Sequence, residues 1–101
     1  MRDVTFKQSG RWALASDGLQ WVLQRLGGGT WRAVSFVRSD REILERCMRE
    51  KGTPLDDAVN LLEGLPQTFN EWWAVHEAEI TQLAQNSLPG QINAIRKQAA
   101  E

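Results

Sequence analysis

Two side chains in this 101-residue sequence could serve as a nucleophile and its base at neutral pH, and there is one of each. Cys47 is the sole thiol and His76 the sole imidazole. Cysteine nucleophiles need an electropositive, partly exposed setting with a base at hydrogen-bond distance. Cys47 stands among Ile43, Leu44 and Met48 on the apolar side of one predicted helix, and His76 lies in the apolar stripe of another, beside Trp72 and Trp73. Both read as packing residues, so no catalytic residue and no enzyme is expected. One Cys and one His cannot supply the four ligands of a structural zinc, and no metal site is expected either. The pairs Asp56/Asp57 and Glu77/Glu79 are adjacent or two apart, so neither pair shares a helical face, and both read as solvated charges. The triglycine at Gly27, Gly28 and Gly29 lacks the Lys-Ser/Thr of a phosphate-binding loop and opens no helix, which makes it a hairpin turn. No cofactor is implied.

What remains is a binding module, and its surfaces depend on the elements that carry them. Composition is that of one globular domain over residues 1–101: 42% hydrophobic, 25% charged, no long uncharged apolar run and a formal charge of −1. The start has no apolar stretch after its charges and is not read as a secretory signal, and a lone cysteine fits a reducing compartment, so a cytoplasmic location is expected. Between Arg11 and Val37 the pattern is strands and tight turns. Asp17-Gly18 reads as a two-residue hairpin loop and Gly27–Gly29 as the next turn, giving a three-stranded antiparallel meander within residues 4–37, with Val4–Lys7 a candidate edge strand. From Ser39 the period becomes helical. Ser39-Asp40-Arg41-Glu42 matches a capping box for a helix over 40–51, Thr53-Pro54 opens a second over 54–63, and Phe69, Trp73, His76, Ile80 and Leu83 form the stripe of a third over 69–86. Pro89-Gly90 precedes a candidate last helix over 91–100, with Leu88, Ile92, Ile95 and Ala99 along one side. The fold class is α+β, a three-stranded meander followed by three to four helices.

A two-residue loop would place Leu14 opposite Trp21 and Trp12 opposite Leu23 on one face, the core. Strict alternation then puts Ala13, Val22, Val34 and Phe36 on the other face, ringed by Arg11, Gln20, Gln24 and Arg32. That face is apolar too, so it needs cover from the helices, a second copy or a partner.

Charge is divided along the chain. Residues 1–52 carry ten Lys/Arg and six Asp/Glu, for +4, whereas residues 53–101 carry two and seven, for −5. The acidic half offers Asp56, Asp57, Glu63 and Glu71 for docking on a basic surface, and the basic half offers Arg11, Arg25, Arg32 and Arg38 for nucleic-acid phosphates. Glutamates interleaved through the first helix suggest pairs such as Glu42–Arg46 and Glu45–Arg49, and they weigh against a phosphate track there.

The run from Trp12 to Arg25, followed by Trp31-Arg-Ala-Val-Ser-Phe-Val-Arg-Ser39 and Cys47-Met-Arg-Glu-Lys-Gly52, resembles small uncharacterised proteins carried by phages and prophages of proteobacteria. The resemblance brings no functional motif. It implies a non-enzymatic protein that binds and blocks a bacterial host protein, such as a CRISPR or restriction component. The expected partner contacts are Val22, Arg32, Val34 and Phe36 on the sheet and Asp56, Asp57, Glu63 and Glu71 on the helices. A nucleic-acid-binding regulator and a homodimeric structural protein are the alternatives.

Overall fold

The computed structural model describes residues 2–86, and the candidate helix over 91–100 lies outside them. Four strands, β1 (Val4–Ser9), β2 (Trp12–Ser16), β3 (Trp21–Gly27) and β4 (Thr30–Val37), form an antiparallel meander in chain order. Three helices follow, α1 (Arg41–Lys51), α2 (Leu55–Leu62) and α3 (Phe69–Asn86). The fold is α+β as expected, with one strand more than a three-stranded meander. The edge strand extends to Ser9, which pairs with Trp12 across a turn that Gly10 makes possible at φ 61°.

The β2–β3 loop has four residues, Asp17 to Gln20, in place of the expected two. Asp17 Oδ1 accepts from the Leu19 N–H at 2.9 Å, Oδ2 accepts from Gln20 Nε2 at 3.0 Å, and Ser16 Oγ accepts from the Gly18 N–H at 3.1 Å. These side-chain bonds favour a wider loop that closes on the pair Ser16 and Trp21. Leu14 therefore faces Leu23, and Trp12 faces Arg25. Because the slip is two residues, no side chain changes face. The triglycine makes the tighter turn: Gly27 pairs with Thr30, and Gly28 and Gly29 both hold positive φ.

All three helices cover one face of the sheet. Trp12, Leu14, Trp21, Leu23 and Val37 meet Leu44 and Met48 of α1, Leu61 and Leu62 of α2, and Phe69, Trp72 and Ile80 of α3. Trp72 is the centre of an aromatic group, 4.5 Å from Phe6, 5.7 Å from Phe69 and 4.8 Å from His76 between ring centroids. His76 Nδ1 lies 2.9 Å from the Trp72 carbonyl. On the opposite face Ala13, Ala15 and Val22 are fully buried but stand apart from this core. There Thr5 Oγ1 donates to Gln24 Oε1 at 2.7 Å, a bond that reaches from β1 to β3 across β2.

Helix starts differ from the sequence reading in two places. Asp40, one residue after Ser39, caps α1 by accepting from the Ile43 N–H at 3.2 Å. The chain stays extended through Asp40 because it bridges Thr68: the Phe69 N–H donates to the Ser39 carbonyl at 2.9 Å and the Arg41 N–H to the Gln67 carbonyl at 2.8 Å. Thr53 does not cap α2. Its N–H closes α1 on the Met48 carbonyl, its hydroxyl is buried without a partner, and Pro54 occupies the cap position. The ion pair seen in α1 is Arg41 to Glu45 at 3.2 Å, in place of the expected Glu42–Arg46 and Glu45–Arg49.

The third helix has a capping box that the sequence reading leaves out. The Glu71 N–H donates to Thr68 Oγ1 at 3.2 Å and the Thr68 N–H to Glu71 Oε1 at 3.1 Å. Thr68→Ala is expected to cost about 1 kcal/mol in urea denaturation. A loss below about 0.3 kcal/mol would show that the Asp40–Thr68 bridge alone holds this helix start.

Candidate functional site

Two irregularities in the sheet decide which side chains meet. Pairing shifts between Thr5 and Lys7 in β1, and between Leu23 and Gln24 in β3 opposite Ser35 and Ala33 of β4, so Phe6 and Val34 are extra residues in their strands. Both turn to the core side: Phe6 packs on Trp72 and Val34 against the core cluster. Strict alternation would leave Val34 and Arg32 beside Phe36. Instead Val34 is half-buried in the core, Val22 has no accessible surface, and Phe36 alone of the apolar trio stays exposed, at 57%. The expected apolar sheet patch is thus dispersed.

The bulge also carries Arg32 to the face of Arg25, directly opposite it across the β3–β4 ladder. Arg25 lies over the Trp12 ring, its guanidinium carbon 5.5 Å from the centroid. Arg11 lies in the β1–β2 turn, and its Nη2 donates to the Leu26 carbonyl at 3.1 Å. Together with Leu26, Gly27, Gly28 and Val34, these three arginines line a shallow depression of about 410 Å³. Arg38 follows the far end of β4 and lies outside the depression. Asp3 and Asp17 stand at that same end of the sheet. Burial, then the Asp17 charge, pushes Asp3 up from 3.8. For Asp17, burial opposes ionisation, but hydrogen bonds from the Gln20 side chain and the Leu19 and Gln20 backbone outweigh it and hold the carboxyl below 3.8.

A second concavity, about 770 Å³, runs between α1 and α2. Met48, Ala58 and Leu62 give it an apolar floor, Leu55 and Val59 stand on its rim, and Arg41, Glu45, Arg49 and Glu63 supply charges of both signs. Leu55 is 77% and Val59 59% exposed. Neither residue is singled out by the sequence reading, although a signal exists: α2 has five apolar residues in eight positions, more than one buried stripe accommodates.

The acidic residues divide between structural and surface positions. Asp57 turns toward the sheet and accepts from Ser9 Oγ at 2.8 Å, while Asn60 Nδ2 donates to the same hydroxyl at 3.1 Å. Glu71 belongs to the capping box. Asp56 and Glu63 are exposed, and the Glu63 carbonyl accepts from Lys7 Nζ at 2.7 Å. Cys47 is a half-buried free thiol against the core. Among the described residues, no group of three His, Cys, Asp or Glu is placed to hold a metal ion, and no helix is long and apolar enough to cross a membrane.

No protein-family model, curated protein or solved structure matches this chain. The class rests on its own geometry: an α+β domain with an antiparallel four-stranded meander and three helices on one face.

Proposed function

We propose that this chain is a non-catalytic module that captures a protein partner in the groove between α1 and α2. The observation carrying this reading is the exposure of Leu55 and Val59, one helical turn apart, above a floor of Met48, Ala58 and Leu62. Exposed apolar side chains grouped at a concavity and rimmed by charge have the anatomy of an interface centre. A partner segment with two or three apolar side chains at helical spacing would fill the groove, and Arg41, Arg49, Glu45 and Glu63 would fix its direction. Asp56, exposed beside Leu55, adds a negative charge near the groove. The resemblance to phage-borne proteins makes a bacterial host protein the partner class to search.

The test is capture from a nuclease-treated proteobacterial lysate by the wild type, by Leu55→Asp/Val59→Asp and by Phe36→Asp. The groove variant is expected to stay folded and lose the partner by about thirtyfold or more, the equivalent of one interface hot spot of about 2 kcal/mol. Phe36→Asp is expected to retain it. Undiminished capture by the groove variant would move the interface elsewhere.

A further inference from the structure

We propose that the depression lined by Arg11, Arg25 and Arg32 is a phosphate-binding site that takes the backbone of a nucleic-acid strand, separate from the α1–α2 groove. Three guanidiniums, from the β1–β2 turn, β3 and β4, line one depression, and no carboxylate of the described residues lines it with them. Arg25 and Arg32 are directly opposite in the ladder, where like charges destabilise a sheet. The bulge at Val34 creates this juxtaposition, since regular pairing would put the two on opposite faces. A sheet that holds two cations side by side without a paired acid carries a cost that a bound anion removes.

The shape selects the anion. A lone carboxylate matches one guanidinium through two oxygens, whereas phosphates along a strand present oxygens to several donors at once. The hollow is open and shallow, which suits a strand passing over it better than an enclosed small molecule. Gly28 belongs to its lining, and a Cβ added there would meet nothing within 4 Å, so the space beside the turn is open. The contact with the Trp12 ring holds the Arg25 guanidinium in place before a ligand arrives, and Val34 gives apolar contact for a sugar or base edge.

The experiment measures anisotropy of a fluorescein-labelled 12-nucleotide single strand at several salt concentrations, together with thermal unfolding in pyrophosphate at matched ionic strength. The proteins are the wild type, Arg25→Gln/Arg32→Gln and the charge-matched control Arg46→Gln/Lys51→Gln on α1. The wild type and the control are expected to bind the strand at low salt. The cluster variant is expected to bind at least about tenfold more weakly, with its log–log salt slope shallower by about 1.4 for two lost phosphate contacts. The cluster variant is also expected to lose the rise in melting temperature that pyrophosphate gives the wild type and the control, a readout that a purely structural role for these arginines would leave unchanged. No binding at low salt, equal loss in both variants, or stabilisation by pyrophosphate without strand binding would each overturn the proposal. Leu55→Asp/Val59→Asp should bind the strand normally, so failure here and failure of the groove reading are distinguishable.

Discussion

Trp21→Ala is expected to remove about 3–5 kcal/mol of stability, a large share of the roughly 5–15 kcal/mol available to a domain of this size. Trp21 has no accessible surface and sits where the sheet meets α3, with edge-on contacts to Phe69 at 5.6 Å and Trp72 at 6.3 Å between centroids. It also pairs with both Ser16 and Val37, so the loss would loosen the sheet and the helix layer together. Trp21→Phe provides the contrast. The indole N–H is buried without a partner, so the phenyl ring gives up area but removes a polar atom that gains nothing from burial. Its cost should be less than half that of alanine. Urea unfolding followed by far-UV circular dichroism reads both, and an alanine variant within about 1 kcal/mol of wild type would contradict the packing described.

Leu61→Ala should cost about 2–5 kcal/mol, while Leu55→Ala on the same helix should change stability by no more than about 0.5 kcal/mol. Leu61 is fully buried among core residues of the sheet and the other helices, and Leu55 projects into solvent. α2 has eight residues, too short to persist by itself, so it depends on this inward face and on its polar ties to Ser9 and Lys7 of β1. The two leucines separate what holds the helix from what it presents. Equal losses at both positions would mean that the groove rim is packed in solution and unavailable to a partner.

Much of the architecture was legible because periodicity and turn chemistry act locally. Gly28 and Gly29 announce a tight turn, Gly52 ends α1, and the Phe69–Ile80 spacing identifies α3. The length of the β2–β3 loop was not legible, since Asp-Gly favours a two-residue turn and only the Asp17 and Ser16 side-chain bonds widen it. The bulges were hidden for a different reason. A period-two pattern contains no mark for the residue at which the count is interrupted, and Val34 resembles any other apolar strand position. Val34 and the β4 residues before it, Arg32 among them, therefore lie on the opposite face from the one expected, while Phe36 keeps its place opposite Val22, which dispersed the sheet patch and assembled the arginine depression. Asp57 and Glu71 read as free charges because their partners, the Ser9 hydroxyl and the Thr68 backbone and side chain, become apparent only when the chain is folded or the Thr68–Glu71 spacing is matched to a helix start.

The bridge between Asp40 and Thr68 gives the helical half a modular construction. The backbone enters α1 and leaves toward α3 at adjoining points, held by the Ser39–Phe69 and Arg41–Gln67 hydrogen bonds and by Arg41 Nη1 donating to the Leu65 carbonyl at 2.7 Å. Everything between, including the groove, is an excursion whose two ends coincide. Closing such an excursion depends only weakly on its length, so lengthening the α1–α2 connection at the exposed Gly52 adds little conformational cost. The groove can consequently be widened at that connection, provided that Leu44, Met48, Leu61, Leu62 and Leu65 keep their places in the core and α2 keeps its ties to β1.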